Sequence, residues 1–148
     1  MSEALAEAAL AEEYGDVPIG AVIVRNSDGE IVGRGRNTKE LDKNPLGHAE
    51  INAISEACER MSVMYLTDYT LYVTLEPCTM CSGACVNARV GSVVCALKDP
   101  KAGAMGSVMN INSYPLNHKI KIEYGVCESR ARDMLRAFFE KKRTKGQK

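Results

Sequence analysis

Three side chains suited to soft divalent metals, His48, Cys78 and Cys81, stand in two short motifs, His48-Ala49-Glu50 and Pro77-Cys78-Thr79-Met80-Cys81. If they hold one ion, any fold of this chain must bring segments thirty positions apart to a single point. Zinc favours imidazole nitrogen and thiolate sulfur, and three protein ligands leave a fourth tetrahedral corner for water, which separates a catalytic site from a closed structural one. Glu50 is then free to move protons beside the metal. The expected cofactor is one Zn2+ per chain, with His48, Cys78 and Cys81 as metal ligands and Glu50 as the catalytic acid/base.

The surrounding pattern places both motifs at helix starts. Leu5, Ala8, Ala9 and Ala11 among glutamates predict an amphipathic first helix ending near Gly15. Residues 19–25 and 30–37 read as two strands joined by the turn Asn26-Ser27-Asp28-Gly29. Residues 38–47 are polar and contain Pro45, so a loop is expected to lead into a helix with His48 in its first turn and Ile51, Ile54 and Cys58 toward the core. Residues 71–75 form a β-rich run stopping at Glu76-Pro77, and proline suits the first position of a new helix. Residues 90–97 resemble the next strand, giving a strand–helix–strand crossover with parallel strands. A glycine-punctuated stretch over residues 98–117 is long for a loop and reads as functional. Residues 119–124 suggest a fifth strand, and Met134, Leu135, Phe138 and Phe139 mark the buried stripe of a closing helix.

Length and composition narrow the class. At 148 residues the chain reads as a single domain, 1–148, with a basic, frayed tail over residues 144–148. It has no apolar run long enough for a membrane span, and its acidic, alanine-rich start lacks the order of a signal peptide, so a cytoplasmic location is expected. Without an export signal the six cysteines read as thiols and metal ligands, with Cys58, Cys95 and Cys127 as core filler. Nineteen basic against nineteen acidic residues argue against a generic polyanion binder, yet the ends differ sharply. Residues 1–16 carry five acidic and no basic side chains, whereas residues 130–148 carry eight basic against two acidic. A basic terminal helix can attract phosphate, although a solvated helix face accounts for the charge equally well.

Cysteines three apart at a helix start aim both thiolates past its positive end, where they are stabilised. Glu50 lies two positions from His48, which in an ideal helix turns their side chains about 200° apart. That tension is relieved if the metal sits above the helix end. A closed structural zinc would need a fourth ligand from Cys85, Cys58 or His118, and it would leave Glu50 without a role. A redox Cys-x-x-Cys pair explains neither His48 nor Glu50.

The joined motifs are the signature by which zinc-dependent nucleobase deaminases are known. The sequence resembles the cytidine deaminase-like superfamily, and most of all the bacterial tRNA-specific adenosine deaminases, over residues 4–143. The likeness extends to Val17-Pro18-Ile19-Gly20-Ala21-Val22-Ile23-Val24, Leu71-Tyr72-Val73-Thr74-Leu75-Glu76-Pro77-Cys78, Asp99-Pro100-Lys101-Ala102-Gly103-Ala104-Met105-Gly106-Ser107 and Leu116-Asn117-His118. It departs from the usual pattern at Leu46-Gly47 and at Ala102. The resemblance implies an α/β fold, a three-layer α/β/α sandwich around a five-stranded mixed sheet, and a homodimer. It also implies hydrolytic deamination of the wobble adenosine of a tRNA anticodon to inosine, through zinc-activated water and a glutamate proton shuttle. Asn37 matches the residue that reads the base; Asp99, Lys101, Ser107, Asn117 and His118 match the region gripping flanking nucleotides, and Phe139 borders the anticodon stem-loop. A deaminase of a free base or nucleoside (guanine, cytosine or adenosine) would use the same metal site, and a non-catalytic zinc or RNA-binding subunit is the competing class.

Overall fold

The computed structural model describes residues 1–146. Its elements run α1 (Ser2–Glu13), β1 (Gly20–Arg25), β2 (Ile31–Arg36), α2 (Lys39–Asp42), α3 (Ala49–Met61), β3 (Tyr69–Leu75), α4 (Thr79–Asn87), β4 (Ser92–Leu97), a 3-10 turn (Ile111–Ser113), β5 (Lys121–Tyr124) and α5 (Glu128–Gly146). The five strands form one mixed sheet in the order β2-β1-β3-β4-β5. β1 runs antiparallel to both β2 and β3, while β3, β4 and β5 are parallel. Because strand side chains alternate between faces, Ala21, Ile23, Leu71, Val73, Val93 and Cys95 share one core with α3 and α4. Ala96 and Leu97 pack with Leu5 of α1 and Ala131 of α5 in a second core, which makes three layers. Among the described residues no helix is long and apolar enough to cross a membrane.

The seat of α3 differs from the pattern expected of it. Ile54 is buried, but Ile51 and Cys58 are only half-buried, and the stripe against the sheet is Ala49, Ala53 and Ala57. Gly35 of β2 explains the choice. A Cβ there would run into the Ala49 carbonyl and the Ala53 backbone, so the helix lies closer to the sheet than a branched side chain would allow. In α1 the buried face is Ala4, Leu5, Glu7, Ala8 and Ala11, with Ala9 outside.

Four further expectations shift. Residues 38–47 contain the short helix α2, whose first-turn amides Glu40 N and Leu41 N donate to the buried Asp16 carboxylate at 2.7 and 3.0 Å. Pro77 precedes the cap of α4 instead of opening the helix. The supposed frayed tail is helical through Gly146, with Thr144 Oγ1 donating to the Glu140 and Lys141 carbonyls; residues 147–148 lie outside the described residues. Phe138 is buried while its neighbour Phe139 is 44% exposed, because adjacent helical positions point about 100° apart.

Candidate active site

Both metal motifs sit where helices begin on the same side of the sheet. His48 is the cap residue of α3, in extended backbone one position before the helix, and Cys78 is the extended cap residue of α4. Neither side chain caps its own helix. The cap position removes the angular conflict between His48 and Glu50, since the helical turn per residue applies only from Ala49 onward. Cys81 follows in the first turn of α4 and is fully buried.

The donor set fits zinc in chemistry and in spacing. His48 Nδ1 lies 3.6 Å from Cys78 Sγ and 3.5 Å from Cys81 Sγ. Tetrahedral zinc with ordinary Zn–N and Zn–S bonds requires N···S separations of about 3.6 Å. Among the described residues His48, Cys78 and Cys81 form the only such group of ligand-bearing side chains. Cys85 is buried one turn deeper in α4, Cys58 is half-buried with its thiol facing the Met64 carbonyl, and His118 Nε2 is bonded to the Val90 carbonyl at 2.7 Å. None of the three completes a closed four-ligand site, and all six cysteines are free thiols.

The electrostatics are those of a cluster ready for a cation. Hydrogen bonds from Cys81 and His48 pull the Cys78 thiol down to about 3, while Cys81, as the donor to that thiolate, is pushed up. His48 is raised chiefly by its bond to Cys78. Glu50, in the first turn of α3, is 4% exposed, and burial pushes its carboxyl up to about 7 against the opposing pull of Cys81 and His48. A buried carboxyl able to hold or release a proton near neutrality is suited to acid/base work.

The remaining candidates divide. Asn37, just past β2 and 9% exposed, accepts from Lys39 N through Oδ1 and donates to the Val17 carbonyl through Nδ2. Asp99, Lys101 and Phe139 line one open groove of about 860 Å3 with Arg132 and Arg136 of α5, floored by Leu75 and Leu97 at the ends of β3 and β4. Lys101 and Phe139 continue into a neighbouring hollow with Lys142 and Arg143. The Asp99 carboxylate is itself engaged, accepting from Lys101 N and Ala102 N. Ser107 is turned inward onto Glu76, Asn117 is exposed, and His118 is held beyond the far end of α4. Glu76, 2% exposed at the end of β3, escaped the sequence reading; its only signal was an acidic residue closing an apolar strand.

Known proteins are similar to this chain in sequence and in fold. The sequence profile of the MafB19-like deaminases matches residues 1–143. The tRNA-specific adenosine deaminase of Bacillus subtilis (strain 168) is 47% identical over 98% of this chain and 89% of its own length. That of Aquifex aeolicus (strain VF5) is 48% identical over 95% of this chain and 91% of its own. A solved structure from biochemical and structural studies of A-to-I editing by tRNA:A34 deaminases superposes with a TM-score of 0.87 at 40% identity, covering 91% of this chain and 97% of that one. The chain therefore belongs to the MafB19-like deaminase family, within the cytidine deaminase-like proteins that include the tRNA-specific adenosine deaminases.

Proposed function

We propose that this protein hydrolyses the exocyclic amino group of the wobble adenosine in a tRNA anticodon, giving inosine and ammonia. The observation that carries the reading is the buried Glu50 carboxyl beside a three-donor nitrogen–sulfur–sulfur cluster, in a chain nearly half identical to tRNA-specific adenosine deaminases. His48 Nδ1 and the two cysteine sulfurs would hold zinc, which when bound would supply a Lewis acid able to make water nucleophilic near neutral pH. Glu50 takes a proton from the attacking water and delivers it to N1 of the purine, then takes the proton of the new C6 hydroxyl and gives it to the amino group, which leaves as ammonia as the carbonyl of inosine forms. Asn37, with one Nδ2 proton to spare, contacts the base edge.

The RNA side of the proposal rests on the groove whose lining includes Val17, bonded to Asn37, and Leu75, three positions before the ligand Cys78. Lys101 and Arg136 offer positive charge to phosphate, Arg132 being paired with Glu128 of the same groove, and the exposed Phe139 ring offers a stacking face. A loop nucleotide is the economical substrate for such a pocket, because extruding it costs less than unpairing a duplex base. Asp99, Ser107, Asn117 and His118 enter the proposal through family likeness. So does a homodimer, and a single domain over residues 1–148 and a cytoplasmic setting complete the proposal.

The test is mass-spectrometric detection of the amino-to-oxo change in an anticodon stem-loop with adenosine at the wobble position, alongside turnover of free adenosine, guanine and cytosine. Turnover of the free compounds alone eliminates the tRNA reading. Glu50→Ala is expected to keep one zinc per chain and abolish turnover; a protein that holds zinc and releases no ammonia from any base is instead a binding subunit.

A further inference from the structure

Glu76 has no place in the chemistry proposed above, yet it is among the most heavily engaged side chains of the chain. Its Oε1 accepts from Asp99 N at 3.3 Å and from Ser107 Oγ at 2.5 Å. Its Oε2 accepts from Met105 N at 3.1 Å and Ser107 N at 3.2 Å. All four donors lie 23 to 31 positions later, in the glycine-punctuated stretch after β4. That stretch wraps the carboxylate so closely that a Cβ on Gly103 would overlap it.

The same stretch is tied from two other directions. Ala104 N donates to the Pro77 carbonyl at 2.9 Å, and the Tyr124 hydroxyl of β5 donates to the Met105 carbonyl. The Met105 residue is thus held by its N–H from within and by its C=O from the sheet edge. Glu76 and Pro77 lead directly into the ligand Cys78, and residues 98–101 form one wall of the groove. A buried carboxylate with four donors is a rigid joint, since each donor left unpaired would cost the desolvation of a buried polar group.

We infer that Glu76 is a positioning residue for substrate: it fixes the 99–107 loop, and with it the groove wall carrying Asp99 and Lys101, in register with the metal-ligand segment at Cys78, while Tyr124 locks the same loop from outside. This rests on the RNA reading of the groove. Glutamine at this position has one acceptor oxygen; turned toward Met105 N and Ser107 N, its amide can still donate to Ser107 Oγ but must oppose Asp99 N–H.

The experiment compares the zinc-loaded protein with Glu76→Gln and Tyr124→Phe. Each variant is scored for zinc per chain, for hydrogen exchange across residues 99–107, and for stem-loop KM and kcat separately. Both variants are expected to keep one zinc per chain, to exchange the loop amides faster and to raise stem-loop KM about tenfold while kcat stays within about threefold. Should Glu76→Gln fail to fold, Tyr124→Phe decides alone. Unchanged exchange and KM in Tyr124→Phe overturn the inference. So does loss of zinc, or a fall in kcat at fixed KM, in folded Glu76→Gln, which would make Glu76 a support for the metal ligands. If the unsubstituted protein makes no inosine, the functional reading fails instead, and loop exchange still judges the clamp.

Discussion

Gly35→Ala tests the link between the packing of the sheet and the geometry of the metal centre. The added methyl would meet backbone, not a flexible side chain: the Ala49 carbonyl, Ala53 N at 2.5 Å and Ala53 Cα at 3.1 Å. Restoring ordinary contact distances of about 3.5 Å means moving α3 off β2 by roughly 1 Å. The cost is that of overpacking, about 1–3 kcal/mol. In a chain of this size it lowers Tm by roughly 3–10 °C. His48 immediately precedes Ala49 and Glu50 follows it, so the shift carries a metal ligand and the proton carrier away from Cys78 and Cys81 on α4. A displacement of that size in a reacting group costs about 10²-fold in kcat. Thermal melts of the zinc-loaded protein and stem-loop turnover at saturation measure both effects. A variant with wild-type Tm and kcat would refute the argument that glycine on β2 sets the depth of α3.

Two other substitutions separate stability from function. Asp16→Ala removes the carboxylate that caps α2 from a distance, and a loss of about 1–2 kcal/mol is expected in denaturant unfolding, since no side chain of Thr38 replaces it. Phe138→Ala is expected to cost about 3–5 kcal/mol, whereas Phe139→Ala leaves stability nearly unchanged and weakens stem-loop binding by about 1–3 kcal/mol, read by titration at fixed salt.

The metal site was legible in the sequence because ligand chemistry admits few residue types and the strand into Glu76-Pro77 fixes where the second helix begins. The strands were legible for a similar reason: β-branched runs stop at turn residues. What stayed hidden depends on partners remote in sequence. Ile51 outranks Ala53 on any hydrophobic scale, and only the glycines of a different element, Gly33 and Gly35 of β2, make alanine the better fit. α2 was missed because its cap, Asp16, lies 24 and 25 positions before the amides it receives. Glu76 read as the polar end of a strand, since its donors belong to a loop without periodicity. Local pattern reports local chemistry, and these three cases are decided by contacts across the fold.

The cap positions of α3 and α4 show a conflict between binding and folding that can be measured. A helix start is normally closed by a side-chain oxygen accepting from its second or third amide, and histidine and cysteine make poor caps. Here His48 and Cys78 hold those positions without capping, which leaves the first amides of both helices, with their partial positive charge, without a cap from that side chain. Metal affinity and intrinsic helix stability therefore favour different residues at position 78. Cys78→Ser separates the two. Serine exchanges a zinc ligand for a strong cap able to accept from Met80 N or Cys81 N, so zinc content and turnover should fall together. After exhaustive chelation, however, the variant should be more stable than the equally chelated wild-type chain by about 0.5–1 kcal/mol, a rise in Tm of roughly 2–4 °C. If the metal-free variant melts at or below the metal-free wild type, the start of α4 is not under-capped, and the thiolate at Cys78 stabilises its helix as well as a hydroxyl would.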